Sequence, residues 1–279
     1  MNYTGRYINL ENYKNRNDFM QSQLANMGVS DYYKRFEGIV KGNSGARIVG
    51  KFSQREQGCR LSHLGIMEER ATINEPLHIL EDDALLHTNH HLIVQKALQS
   101  LANAPWDILF TGATFIFFAD YIDLFDAPYQ NYKNSNGRNF CLLNLAQIQT
   151  NGAYSYIINP PSLPKIRSLV ANTQMPIDFI YRQAIGQKTI KSFCVFPTLA
   201  RHNYGFDSTI EEKPKDWILH GLYQRLYYKD EDLEQLYKEA SAYGEEIGFW
   251  DEVEELNFAS LLDYFIQMFS VFHGKRLKS

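Results

Sequence analysis

The spacing of apolar residues changes several times along the chain, and each change marks an element. Residues 6–10 (RYINL) read as a short strand. From Lys14 to Met27 the residues Phe19, Met20, Leu24 and Met27 recur at helical spacing, and Gly28 closes the run. Residues 33–40 predict a second strand, followed at 41–50 by a Gly-rich loop without a period. Ser53 and Glu56 stand at capping-box spacing, so a helix starts there and runs to about residue 73, carrying Cys59, Leu61, Ser62 and His63. Pro76 introduces the strand LHILED. A helix over 88–101 and a strand over 106–112 follow. Further strands are expected over 138–149, 152–159 and 192–196, with helices over 160–170 and 178–185 between them. Two loops are expected, at 119–137 and in the stretch PTLARHNYGFDSTI.

Strand–helix alternation of this kind argues for an α/β fold around a largely parallel sheet. Ligands of such sheets gather beyond the carboxyl ends of the strands. After about residue 211 the pattern changes. Lys213-Pro214-Lys215 reads as a linker, and helices alone are expected beyond it. The last of these carries an apolar stripe of Leu261, Leu262, Phe265, Ile266, Phe269 and Phe272. The expected division is an α/β domain over 1–210 and a helical extension over 211–279.

One strand ends in chemistry. In HILEDDALLH, residues 78–87, an apolar run stops at three adjacent carboxylates. Continued as a strand, Glu81 and Asp83 share a face and Asp82 takes the other. The two on one face would lie about 6–7 Å apart. At an effective dielectric of about 20 they would repel by roughly 2–3 kcal/mol. A divalent cation turns that repulsion into attraction, because hard cations prefer carboxylate oxygens. The plainer reading is a solvated turn; the position at a strand end favours a metal, and a diphosphate is a candidate for what the metal binds.

Composition narrows the choices. Hydrophobic content of 44% and charged content of 22% are those of an ordinary globular protein, and a net charge of −4 argues against a nucleic-acid partner. Cys59, Cys141 and Cys194 are scattered with no CxxC pair, which indicates neither a disulfide framework nor a cysteine zinc site and suits a reducing compartment. The N-terminus lacks a signal-peptide core, and no apolar run approaches the ~18 residues of a membrane span. A cytoplasmic protein is therefore expected. The terminal GKRLKS offers at most a weak peripheral contact at the inner face of the membrane. Packing on the main domain, or a homodimer, accounts for the apolar stripe equally well.

Several stretches together resemble glycosyltransferase family 25, the lipooligosaccharide galactosyltransferase type. They are INLENYKNRNDFMQSQL at 8–24, QGCRLSHLGIMEE at 57–69 with its Gly-Cys-x-Leu-Ser-His helix, ILEDDA at 79–84, WDILFTG at 106–112, GAYSYIIN at 152–159, the PID of 176–178, and STI within 197–210. The order agrees over roughly residues 5–210. Gly65-Ile66-Met67 and Thr111-Gly112 depart from the common pattern, and residues 119–137 and the C-terminal helices match nothing in it.

The resemblance implies a GT-A-like fold, a Rossmann-type mixed sheet flanked by helices, with ILEDDA as its DxD element. It implies inverting transfer from a nucleotide-sugar, with UDP-galactose the favoured donor, to a glycan or lipid-linked oligosaccharide. Asp83, Glu81 and His202 are the implied ligands of Mn²⁺ or Mg²⁺, and Asp178 the implied base. Asn9, Leu10, Arg16, His63, Asp82, Thr111, Gly112 and Ser208 fall on the donor side; Gly152, Tyr154 and Tyr204 fall on the acceptor side. Plainer roles exist for several: a helix N-cap for Asp178, a loop histidine for His202, a solvated helix arginine for Arg16, a core histidine for His63. A non-catalytic nucleotide-sugar-binding protein of the same fold, or a metal-dependent phosphohydrolase, are the rival readings; the second lacks a further acidic cluster for a two-metal site.

Overall fold

In the computed structural model the described residues are 2–40, 52–115, 140–147, 150–203, 206 and 228. The elements run β1 (Thr4–Asn9), α1 (Lys14–Asn26), β2 (Tyr33–Glu37), α2 (Gln54–Glu69), β3 (Leu77–Glu81), β4 (Ala84–Leu86), α3 (His90–Ser100), β5 (Ile108–Phe115), β6 (Cys141–Asn144), β7 (Thr150–Ile158), α4 (Leu163–Ala171), α5 (Ile177–Gly186), β8 (Ser192–Phe196) and β9 (Ala200–His202). The capping box holds as expected. Ser53 Oγ accepts from the Glu56 amide and the Glu56 carboxylate accepts from the Ser53 amide. Two short strands, β4 and β9, were not expected from the pattern, since three residues are too few to display a period. The expected loops at 41–50 and 119–137 and the helical extension at 211–279 lie outside the described residues, Tyr228 excepted.

Seven strands form one sheet in the order β2-β1-β3-β7-β5-β8-β6. It is mixed rather than largely parallel. β1 pairs in parallel with β2 and β3, and β5 with β8, while β7 runs antiparallel between β3 and β5 and β6 antiparallel to β8. Five strands therefore point one way, and the carboxyl ends of β1 and β3 lie side by side through the register Ile8↔Glu81. This architecture is consistent with a GT-A-like fold.

The core splits into two apolar layers, one on each face. Ile66, Met67, Ile166, Val170, Ile180 and Tyr181 bring α2, α4 and α5 onto Leu77, Ile79, Phe110 and Tyr156. Met20, Leu24, Ile93, Val94 and Leu98 bring α1 and α3 onto Leu80, Leu109 and Ile157. Alternation along β3 decides the split: Leu77, Ile79 and Glu81 face the first layer. Among the described residues no helix is long and apolar enough to cross a membrane. Tyr228 bridges to Thr198 and lies beneath the Arg201 guanidinium, so at least one residue from the C-terminal stretch touches the main domain.

The second layer also buries a polar chain. Tyr3 contacts His91 Nδ1 at 2.9 Å, Tyr33 contacts His78 Nδ1 at 2.7 Å, and His78 Nε2 meets Ser155 Oγ at 3.2 Å. Ser155 bonds Thr111, which His90 Nε2 approaches to 3.3 Å; the His78 and His90 rings stack with centroids 5.1 Å apart. Burial, and then the neighbouring histidines, hold His78 well below its ordinary pKa and His90 at about 3. Both are neutral in the fold and take up protons on unfolding. Their contribution to stability is complete above the unfolded pKa of about 6.5 and is lost as pH falls from there toward their folded values. Urea denaturation should therefore show stability falling between pH 7 and pH 5 by up to about 1.4 kcal/mol per pH unit for each group, and His90→Gln should flatten that slope.

Candidate active site

At the shared end of β1 and β3 the chain turns at Asp82-Asp83 and leaves the sheet as β4. That turn breaks the alternation expected of the triplet. Glu81, still in β3, faces α2. Asp82 and Asp83 both reach Arg16 of α1, while Glu81 and Asp83 stay close enough that both charges act on Cys59.

Asp82 is buried. Its two oxygens accept from Asn9 Nδ2 at 2.7 Å and from Arg16 Nη1 at 3.0 Å. Burial, and next the Asp83 charge, raise its pKa; Asn9 and Arg16 pull against them, and the outcome is about 6. Asn9 is fully engaged, because it also donates to Tyr13 O and accepts from Arg35 Nε. Arg16, 4% exposed, sits between the rings of Tyr13 and Phe206 and also reaches Asp83 at 3.7 Å. Asn9, Arg16 and Asp82, expected on the donor nucleotide, thus bind one another and fix the acidic turn. Leu10 is half-buried beside Gly38.

His202 reaches the turn from β9, where the register Ala84↔His202 sets it beside Asp83. Its Nδ1 lies 3.4 Å from Asp83 Oδ1. Burial pulls the imidazole pKa down, but Asp83 and then Glu81 outweigh it, so the net shift is upward. Burial alone would raise the Asp83 pKa; His202 and Arg16 hold it below the usual carboxylate value. An oxygen and a nitrogen 3.4 Å apart stand beyond ordinary hydrogen-bond length and near the spacing of adjacent ligands on one cation, about 3 Å for metal–ligand bonds of about 2.1 Å at right angles. Asp83 and His202 are thus two residues here that could hold a cation together. Glu81 is close enough to act on His202 electrostatically, yet it is not gathered with Asp83 and His202 into one tight ligand group.

Glu81 instead meets α2. His63 Nε2 lies 3.3 Å from Glu81 Oε1, and Cys59 Sγ 3.8 Å from the same oxygen. His63 is completely buried, and its Nδ1 is held by Tyr156 Oη at 2.8 Å, which Tyr181 Oη contacts at 3.0 Å. His63 thus orders the acidic segment. Cys59, Tyr156 and Tyr181 were not singled out from the sequence; the i, i+4 spacing of Cys59 and His63 on a helix was the available signal.

Asp178 completes this side. It lies in the first turn of α5, behind the N-cap Pro176, so it is not the N-cap itself. Its Oδ1 accepts from the Phe179 amide at 2.9 Å. Burial, and among the charges Glu81, raise its pKa.

The remaining expected residues are placed elsewhere or not described. Thr111 is completely buried in the polar chain with His90 and Ser155. Gly112 serves close approach: a Cβ there would come within 2.4 Å of the Tyr154 ring and 2.7 Å of the Ala200 carbonyl, so glycine lets β9 and His202 lie against β5. Tyr154 is 1% exposed, and its ring packs on His202 with centroids 4.1 Å apart, which makes it a support for His202 and not an acceptor wall. Gly152, at φ 86°, lies within β7 where its register with β5 is irregular. Tyr204 and Ser208 lie outside the described residues.

Removing Arg16 strands a buried carboxylate. Arg16→Ala should destabilise the protein by roughly 3–5 kcal/mol at pH 8. The loss should shrink at pH 5, where Asp82 is protonated in both proteins; urea melts at the two pH values measure this.

No curated protein matches the chain. A family profile described as glycosyltransferase family 25 (LPS biosynthesis protein) matches residues 6–181, more than half of the chain, from β1 into α5; His202 on β9 lies beyond the matched span. The chain belongs to glycosyltransferase family 25, whose members take a sugar from a nucleotide-sugar donor to a glycan acceptor in LPS biosynthesis.

Proposed function

We propose that the chain is an inverting, metal-assisted hexosyltransferase that moves galactose from UDP-galactose to a hydroxyl of a lipooligosaccharide or another surface glycan. The observation that carries this reading is the convergence of Asp178, Glu81, Asp83 and His202, from α5, β3, the turn and β9, on the carboxyl end of the sheet. Asp178 is the base. Burial and the nearby Glu81 raise its affinity for a proton, which suits a group that must accept one from an alcohol.

In the displacement the acceptor oxygen bonds to the anomeric carbon from the face opposite UDP. Its proton passes to the Asp178 carboxylate, and the bond from the anomeric carbon to the diphosphate oxygen breaks with its electron pair leaving on UDP. Asp83 and His202 are the residues that would hold Mn²⁺ or Mg²⁺, with Glu81 adding negative charge nearby. Such an ion, when bound, supplies positive charge to the diphosphate oxygens. Arg16 and Asn9 act one step back by holding the acidic turn in shape. The acceptor is met at the inner face of the cytoplasmic membrane, with the basic sequence of 274–279 a weak contact.

Asp178→Asn should lower kcat by about 10²–10⁴ while UDP-galactose binding, measured by calorimetry, stays unchanged. Turnover in the wild type should rise with pH through the raised Asp178 pKa, because the ionised carboxylate is the working form. Full turnover in Asp178→Asn would remove it as base. Titration of UDP-galactose and UDP-glucose with Mn²⁺ or with EDTA should show metal-dependent binding that Asp83→Ala abolishes, tighter for the true donor.

A further inference from the structure

A second group of ligand atoms stands on the α2 side of Glu81. Cys59 Sγ, His63 Nε2 and a Glu81 oxygen all lie within 4.8 Å of one another, the one such trio among the described residues. Cys59 and His63 are four residues apart on α2, so they project from the same helix face, and Glu81 meets them from the end of β3.

The spacings are those of a metal's ligand shell. Tetrahedral zinc with bonds of about 2.3 Å to sulfur and about 2.1 Å to nitrogen and oxygen has edges of roughly 3.6 Å from sulfur to oxygen and roughly 3.4 Å from nitrogen to oxygen. The observed edges are 3.8 Å and 3.3 Å. As a hydrogen bond the second is long, since N–H···O contacts cluster near 2.9–3.0 Å. His63 also has the support expected of a ligating imidazole, because its other nitrogen is fixed by Tyr156, which Tyr181 backs in turn.

We propose that Cys59, His63 and Glu81 bind one thiophilic divalent cation, Zn²⁺ by class, at a position separate from the Asp83–His202 pair. Thiolate chemistry selects such an ion over Mg²⁺ or Mn²⁺. On binding, the Cys59 S–H bond breaks, a sulfur–metal bond forms and one proton is released. His63 would bind through Nε2 and carry its ring proton on Nδ1, which donates to Tyr156 Oη. Thiolate and carboxylate together neutralise the dication. Burial, and then the charges of Glu81, Asp178 and Asp83, oppose a free thiolate at Cys59, and the three carboxylates favour a cation beside it. Three protein ligands leave one tetrahedral position for water or another ligand. Occupancy ties Glu81 to α2 and withdraws its charge from Asp178 and His202.

Co²⁺ added to the metal-free full chain tests the site without reference to sugar transfer. A thiolate-to-cobalt charge-transfer band should grow to saturation at one Co²⁺ per chain. Zn²⁺ should erase it and Mg²⁺ should not. Cys59→Ser should lose the band and Cys141→Ser keep it, each with the far-UV circular dichroism of the wild type. In the wild type itself, Zn²⁺ should protect Cys59 from iodoacetamide in peptide maps. No thiolate band, a band that survives Cys59→Ser, or alkylation of Cys59 indifferent to Zn²⁺ overturns the proposal. Mn²⁺-dependent UDP-sugar binding is read separately, so failure here leaves the transferase reading intact, and failure there leaves this site intact.

Discussion

Asp82 carries a carboxylate into a place that largely excludes water, and the end of the sheet is built around making that tolerable. A lone buried carboxylate shifts its pKa and neutralises. Here Asn9 from β1 and Arg16 from α1 supply a donor each, and the Arg16 guanidinium is itself closed in by Tyr13 and Phe206. This single network joins the first strand, the first helix and the turn after β3. With it in place, the turn has one shape, Asp83 is aimed at His202, and Glu81 is left at the strand's last position facing α2.

The acidic triplet is consequently divided among three sets of partners. One carboxylate is structural, one pairs with an imidazole from β9, and one sits against a thiol and a buried imidazole from α2. α5 brings Asp178 within electrostatic reach of both Glu81 and Cys59. Each charge is then tuned by a different neighbour. His202 and Arg16 lower Asp83, Asn9 and Arg16 restrain Asp82, and burial with Glu81 raises Asp178. Carboxylates with opposed proton affinities at one strand end are the kind of arrangement that separates ion binding from proton transfer.

Much of this was legible in the chain. The main strands and helices followed from period and punctuation, and the capping box located the start of α2 to within a residue. Glu81-Asp82-Asp83 could be picked out because charge at a strand end is a local signal, and Asp178 through the family resemblance. What the sequence could not show depends on pairing across long separations. The i, i+2 rule failed at Asp82-Asp83 because a turn begins there, and no local feature announces that β4 will pair with β9. Tyr154 and Tyr156 alternate alike on paper, yet the irregular β5–β7 register around Gly112 puts Tyr156 in the layer with α2 and Tyr154 against His202. Arg16 looked like a solvated helix residue or a phosphate ligand because its partner lies 66 residues away.

β7 occupies the middle of the sheet, although its residues follow both of its neighbours in the chain. A nascent chain emerging from the ribosome therefore presents β3 and β5 long before the strand that must lie between them exists. Until residues 150–158 are made, both carry unpaired backbone edges flanked by apolar side chains such as Ile79, Leu80, Leu109 and Phe110. Edges of that kind pair readily with other chains. Synthesis of this fold thus has a vulnerable interval written into its strand order, in which the first half of the chain needs shelter and gains its own only when β7 slots in.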